Sequence, residues 1–340
     1  MEFQFLGTSA GTPTRRRNVS ALALRSEGAR HWALVDCGEG TQHRILRTPW
    51  SLNDLRAVFV THLHGDHCYG LPGLLASAAM MNRTAPLVLA GPAPLRAFLE
   101  GVMATTGLGL PYALDFVEVG GTAAPALPDH VMPDLAVAAT ALSHRVPSFG
   151  YTFTERRLER KLDPARLQAA GVARGEAWGR LQRGEDVVLP DGRPVRAADV
   201  LAPPRKARRV IVAGDNDRPE LLLEEARTAE VLVHEATYTD EVLRRIGPGP
   251  QHSSARMTAA AAAAAGVPNL VLTHFSPRYQ QHGAFAMADL EDEARAAYGG
   301  RLFLADDFDR FQLDRDGVLH RLEDDAGKAG PAPAGAQVQR

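Results

Sequence analysis

Apolar positions in this chain gather into short runs, and many of those runs break off at a polar residue capable of chemistry. Glu2-Phe3-Gln4-Phe5-Leu6 alternates as a strand does, then gives way to the turn-rich Gly7–Pro13. His31–Asp36, Ala57–Val60, Pro86–Ala90, Asp134–Leu142, Arg209–Ala213 and Asn269–Thr273 are further strand-like runs, and Glu230–Thr237 reads as a strand with its loop. Helical stretches alternate with them: one opens after Gly38, one at Gly70-Leu71-Pro72-Gly73, and two more cover Ala93–Ala104 and Ala255–Ala265. A serine ahead of Ala255 suits the N-cap, and Gly266 with Pro268 marks the stop. Strand–helix alternation in both halves makes this an α/β chain that suits a duplicated sandwich, with no tandem repeat.

Five of the strands end at Asp36, Thr61, His144, Asp215 and His274, which places all five at one sheet edge. The densest of these ends is Thr61-His62-Leu63-His64-Gly65-Asp66-His67. On extended backbone His62 and His64 point the same way, because side chains alternate with period two. They can share one ion. Asp66 and His67 follow the turn and can face a second. Imidazole and carboxylate are natural zinc donors, and two adjacent metals suit in-line displacement at phosphorus. A chance run of surface histidines does not take the form His-x-His-x-Asp-His behind a buried strand. His144 completes the first ion's set. Asp215 can bridge, since one carboxylate has two oxygens. Asp36 can orient a ligand histidine from behind. His43 is either such a partner or ordinary helix surface.

Composition adds little until it is divided. The chain of 340 residues carries 38 Lys and Arg against 40 Asp and Glu, a net charge of −2. Residues 155–209 hold 14 basic and 8 acidic residues, about +6, which leaves about −8 for the remainder. This Gly- and Pro-rich stretch is either a solvated connector or the seat of a polyanionic partner. Arg15-Arg16-Arg17 is likewise either a solvated loop or an anion trap with planar forks suited to phosphate. There is no apolar stretch of membrane-spanning length, and the opening strand leaves no room for a signal segment. Cys37 and Cys68, the only cysteines, adjoin candidate site residues and are read as reduced thiols of a cytosolic protein.

The His-x-His-x-Asp-His loop resembles the signature of the metallo-β-lactamase superfamily. Further motifs narrow the resemblance to the ribonuclease Z (tRNase Z) family over about residues 1–315. They are Phe5-Leu6-Gly7-Thr8-Ser9-Ala10-Gly11-Thr12-Pro13, Asp36-Cys37-Gly38-Glu39-Gly40-Thr41-Gln42, Ser148-Phe149-Gly150-Tyr151, Pro203-Pro204-Arg205-Lys206, His234-Glu235-Ala236-Thr237 and Thr273-His274-Phe275-Ser276. The resemblance implies a four-layer αββα metallo-β-lactamase sandwich over 1–322, with an inserted flexible exosite arm at about 155–205. Residues 324–340 read as a disordered tail.

By position, the resemblance assigns His62, His64 and His144 to one zinc and Asp66, His67 and His274 to another, with Asp215 between them. It makes Asp66 the proton acceptor for the attacking water, and His252, oriented by Glu235, the proton donor to the leaving oxygen. Pro13–Asn18 matches a family loop that senses the tRNA 3′ end, so Arg15, Arg17 and Asn18 become RNA-binding candidates; Arg15 replaces the family's usual lysine. The implied enzyme is a zinc-dependent endoribonuclease, with two Zn²⁺ per subunit and Mn²⁺ as a substitute. It cuts precursor tRNA after the discriminator nucleotide, leaving a tRNA 3′-hydroxyl and a 5′-phosphorylated trailer. A cytoplasmic homodimer is implied, with no membrane partner. A small-molecule ester, sulfate or lactone hydrolase of the same superfamily is the alternative. It would share the metal site but needs no basic arm. An RNA-binding protein with a relict site is disfavoured, because no expected ligand is missing.

Overall fold

The computed structural model describes residues 1–120, 131–156, 158, 160–203, 205–279 and 284–323. The expected disordered tail, 324–340, lies outside the described residues. The chain divides into two compact units, one formed by Met1–Thr154 with the chain from Arg208 on, the other by Glu155–Ala207.

Two sheets make the first unit. β1 (Glu2–Gly7), β2 (Ala21–Arg25), β3 (Trp32–Val35), β4 (Leu55–Phe59), β5 (Leu87–Pro92) and β6 (Leu114–Val119) lie side by side in chain order. β1 to β3 pair antiparallel, and β3 to β6 pair parallel. β7 (Leu135–Leu142) and β8 (Ser148–Glu155) begin the second sheet. β9 (Val187–Val188) and β10 (Pro194–Val195) pair with each other in the smaller unit. β11 (Arg209–Val212), β12 (Val231–Glu235), β13 (Asn269–Thr273) and β14 (Arg301–Leu304) complete the second sheet, in the order β14-β13-β12-β11-β8-β7. β15 (Arg310–Leu313) and β16 (Leu319–Leu322) return to the first sheet beside β1.

Alternation along the strands decides the layers. Ala57 and Phe59 of β4, Val210 and Val212 of β11, and Val231 and Val233 of β12 share one buried cluster between the sheets. There the rings of Phe59 and Tyr151 lie 5.1 Å apart. The intervening residues face outward. Val58 and Val60 pack with Leu71, Leu74 and Leu99 of the helices Leu71–Met80 and Pro94–Thr106. On the other side Ile211, Leu232 and Leu272 pack with Ala255, Ala259 and Ala262 of the helix Ala255–Ala265. The result is the expected helix–sheet–sheet–helix sandwich. The expected cap also forms: Ser254 Oγ accepts the Met257 N–H, and Gly266 closes the helix with φ 70°.

The smaller unit has its own apolar cluster, built on Leu167, Leu181, Val195, Val200 and Leu201. Its helices are short: Pro164–Ala169, capped by Asp163, then Glu176–Gln182 and Ala197–Val200. No strand was expected here, because β9 and β10 are too short to leave a pattern in the sequence.

Candidate metal centre

β4 delivers the chain to Thr61, and the four donor side chains His62, His64, Asp66 and His67 follow directly. Gly65 starts the helical turn Gly65–Cys68, which carries Asp66 and His67 round to the far side of the cluster. β7 ends one residue before Ser143 and so brings His144 in; β11 ends just before Ala213 and places Asp215; β13 ends at Thr273 and places His274. Gly214 is required where it stands, because a Cβ there would fall 2.6 Å from Thr61 Cβ.

The donors form two groups. His62 Nε2 and His144 Nε2 each lie 3.1 Å from His64 Nδ1. Asp215 Oδ2 is 3.5 Å from His62 Nε2 and 3.7 Å from His144 Nε2. In the second group, His67 Nε2 and His274 Nε2 are 3.2 Å apart, and Asp66 Oδ2 lies 3.5 and 3.3 Å from them. Asp215 Oδ1 sits 3.4 Å from both. One carboxylate therefore gives one oxygen to each group.

The other ring nitrogens are held from behind. Asp36 Oδ2 accepts from His67 Nδ1 at 2.7 Å, while the same carboxylate accepts from the Thr61 N–H and hydroxyl. His144 Nδ1 donates to the Gln251 carbonyl at 2.8 Å. Thr237 Oγ1 lies 3.0 Å from His274 Nδ1. In His67, His144 and His274, fixing Nδ1 as a donor leaves Nε2 as a lone pair aimed inward, whereas His64 turns Nδ1 inward.

This donor set fits divalent metal. Burial, then repulsion from neighbouring imidazoles, holds His62 well below the ordinary histidine pKa. Burial also lowers His64 and His144, against the pull of Asp215. Neutral imidazoles with three ring nitrogens converging at about 3 Å offer the lone pairs that a cation among them would take. His67 moves the opposite way. Burial opposes its charge, but Asp215, Asp66 and Asp36 outweigh burial and raise its pKa. Positive charge is wanted there, from a proton or from a metal.

His252 and Glu235 stand beside this centre. His252 Nδ1 is 3.1 Å from Glu235 Oε1 and 3.7 Å from Asp215 Oδ2. Burial works against the imidazolium of His252, but the charge and hydrogen bond of Glu235, with Asp215 behind, raise its pKa to about 9. Glu235 is itself fixed by the Asn216 N–H and the Thr237 hydroxyl.

Other expected residues lie elsewhere or act differently. His43 is exposed on the helix Thr41–Ile45 and bears on no donor. Arg17 turns inward: its guanidinium donates to Thr8 Oγ1 and the Ala305 carbonyl and pairs with Asp306. Asn18 donates from its amide to the Glu39 carbonyl and from its backbone to Asp307. Arg15 and Arg16 point to solvent. Cys37 and Cys68 are free thiols, both buried. Gln251 was not anticipated. Its backbone sits at φ 54°, unusual outside glycine, and that twist aims its carbonyl at His144. A backbone group leaves no residue-type signal in the sequence.

A family model described as anti-Pycsar protein Apyc1 matches residues 1–105, the part carrying the His62–His67 loop. A metallo-β-lactamase-fold protein from Bacillus subtilis superimposes with a TM-score of 0.62 at 15% identity, covering 91% of this chain and 98% of that one. The class is therefore the metallo-β-lactamase fold, here bearing a His/Asp metal centre. Human tRNase Z, short form, superimposes with a TM-score of 0.63 at 26% identity, covering 92% of this chain and 100% of its own. Ribonuclease Z from Marinobacter nauticus is 51% identical over 327 residues, 95% of this chain and 99% of that protein. The chain belongs to the ribonuclease Z family.

Proposed function

We propose that this protein is the endoribonuclease that removes the 3′ trailer from precursor tRNA, using two divalent ions, zinc in the first instance and Mn²⁺ as a substitute. The observation that carries the reading is Asp215, whose two oxygens each enter one of two complete donor groups in a chain half identical to a ribonuclease Z. His62, His64 and His144 would hold one ion and Asp66, His67 and His274 the other. Bound there, the ions supply Lewis acidity to a water and to the scissile phosphoryl group.

The chain's own residues do the rest. Asp66 takes the proton of the attacking water, its Oδ2 held in place by the Gly11 N–H at 2.7 Å. The water attacks phosphorus in line, and the bond to the 3′ oxygen of the discriminator nucleotide breaks. His252, kept protonated by Glu235, gives its proton to that leaving oxygen. The products are a tRNA 3′-hydroxyl and a trailer with a 5′-phosphate. Asp36 acts from behind, by fixing the ring of His67 and by holding Thr61 at the start of the loop.

Arg15 contacts RNA directly, whereas Arg17 and Asn18 serve by holding the loop that presents it. The basic segment 155–205 is an RNA-binding arm that grips phosphates and 2′-hydroxyls of a folded substrate. Among the described residues no helix is long and apolar enough to cross a membrane, and we assign the work to the cytoplasm, where precursor tRNA is processed. Exposed Leu46, Met80 and Met81 support a homodimer, since a second copy would cover them.

The test is cleavage of a 3′-extended precursor tRNA by wild type and His64→Ala, with and without chelator. A single cut after the discriminator, lost on chelation and in the variant, is expected. A ladder of shortened products would make the enzyme an exonuclease. Intact RNA alongside turnover of a small ester would return the chain to the generic hydrolases.

A further inference from the structure

Tyr69 is exposed over 63% of its surface, the only aromatic among the large exposed apolar side chains of the described residues. Its ring covers Gly65, where a Cβ would meet it at 2.3 Å. Phe98 backs it at 6.2 Å between centroids, with the planes 28° apart. The ring therefore belongs to the metal loop itself, two residues from His67. It forms one wall of a cleft of about 330 Å³, with Gly11, Pro13, Glu39, Gly65 and Asp66 among the other walls.

The lining indicates what the cleft takes. Its walls carry no basic residue to hold a phosphate, and Glu39 adds an acidic one beside Asp66, which is already committed to the donor group and to the Gly11 N–H. An aromatic face with acceptor oxygens beside it suits a nucleobase, which stacks on the ring and donates from its edge. The side of the cut follows from the roles of Asp66 and His252 in the proposed reaction, on which this inference rests. In-line displacement puts the attacking and leaving oxygens at opposite ends. The tRNA body leaves with the 3′ oxygen towards His252. The trailer hangs from an equatorial oxygen and is free to turn towards Asp66 and the cleft. We propose that Tyr69 is the stacking platform for the base of the first trailer nucleotide, and that this cleft is the subsite for it.

A double-substitution cycle tests the pairing. One arm is Tyr69→Ala, with Tyr69→Phe beside it; the other is a precursor tRNA with an abasic first trailer nucleotide. Tyr69→Ala should raise KM for the intact substrate roughly tenfold, within the range for losing one stacked base. kcat and bound zinc should hold, and Tyr69→Phe should behave as wild type. The abasic substrate should lose the same factor with wild type and nothing further with Tyr69→Ala. Losses that multiply would overturn the proposal, as would coupling to an abasic discriminator instead. A fall in kcat or zinc content at constant KM would make the ring a mere prop for Gly65. A change of sedimentation in Tyr69→Ala would make it a subunit contact. A wild type that leaves precursor tRNA uncut would sink the proposed function as well, whereas losses that multiply in an enzyme that cuts would sink this inference alone.

Discussion

The unit built from residues 1–154 and 208 onward and the unit 155–207 are held together by different means. In the larger one, strands such as β4, β11 and β12 bury both faces, and three apolar clusters meet on two sheets. His144, Asp215 and His274 leave that scaffold within three residues of a strand end, and the loop and helical turn after β4 carry the other four donors. In the smaller one, a single cluster is covered by short helices and a pair of two-residue strands. The larger unit is suited to holding atoms at fixed separations, the smaller one to presenting charge. Chemistry and substrate grip should therefore separate under mutation.

The strongest way to break that comparison is at Asp215. Asp215→Ala removes one oxygen from each donor group and leaves 155–207 untouched. Cleavage should fall on the order of 10³-fold, the upper range for losing charge stabilisation of a transition state. Zinc content, read by atomic absorption, should fall below that of the wild type. Filter binding of precursor tRNA by the variant should change far less. If tRNA binding collapses with the metal, the two units do not divide the labour.

The complementary change replaces residues 160–203 with a short glycine linker. Zinc content and hydrolysis of a small phosphodiester should survive, because the donors all lie in the larger unit. KM for precursor tRNA should rise on the order of 10²-fold, as when one of two linked contacts is lost. Loss of small-diester turnover would show instead that the larger unit depends on the insertion.

How much of this is legible in the sequence follows from where each group gets its role. His62, His64, Asp66 and His67 are contiguous, so spacing alone exposes them. His144, Asp215 and His274 are far apart, yet each follows an apolar run, and the strand-end rule finds them. For Arg17 the sequence shows its charge but not Asp306, almost three hundred residues away, which pairs with it. β8 shows in the sequence only as a motif, since Ser148, Gly150 and Thr152 interrupt its apolar pattern although all are buried.

Gln251 marks the limit of such reading and offers the third test. Proline holds φ near −65°, far from the 54° observed, so Gln251→Pro should swing the carbonyl away from His144. Metal affinity at the first group should weaken by roughly 10- to 100-fold, the usual effect of losing a ligand's supporting bond. Gln251→Gly, which accepts the same φ, should keep it. Equal losses in both variants would show that the side chain, not the carbonyl, matters.

The smallest effect probes the larger unit's stability away from the metals. Glu2 on β1 accepts from Arg25 on β2 and from Arg310 on β15, so it ties three neighbouring strands. Burial would raise its pKa, but the hydrogen bonds from Arg310 and Arg25 outweigh burial and leave it below the ordinary 4.5. A depressed folded pKa gives stability that is present above the unfolded value and lost as pH falls through the folded one. Glu2→Gln should therefore lower urea stability by about 1 kcal/mol at pH 7, modest because one face of the pair is wet. Wild type and variant should converge in acid, below the ordinary glutamate range. A deficit that persists unchanged in acid would mean that Glu2 contributes through packing and not through its charge.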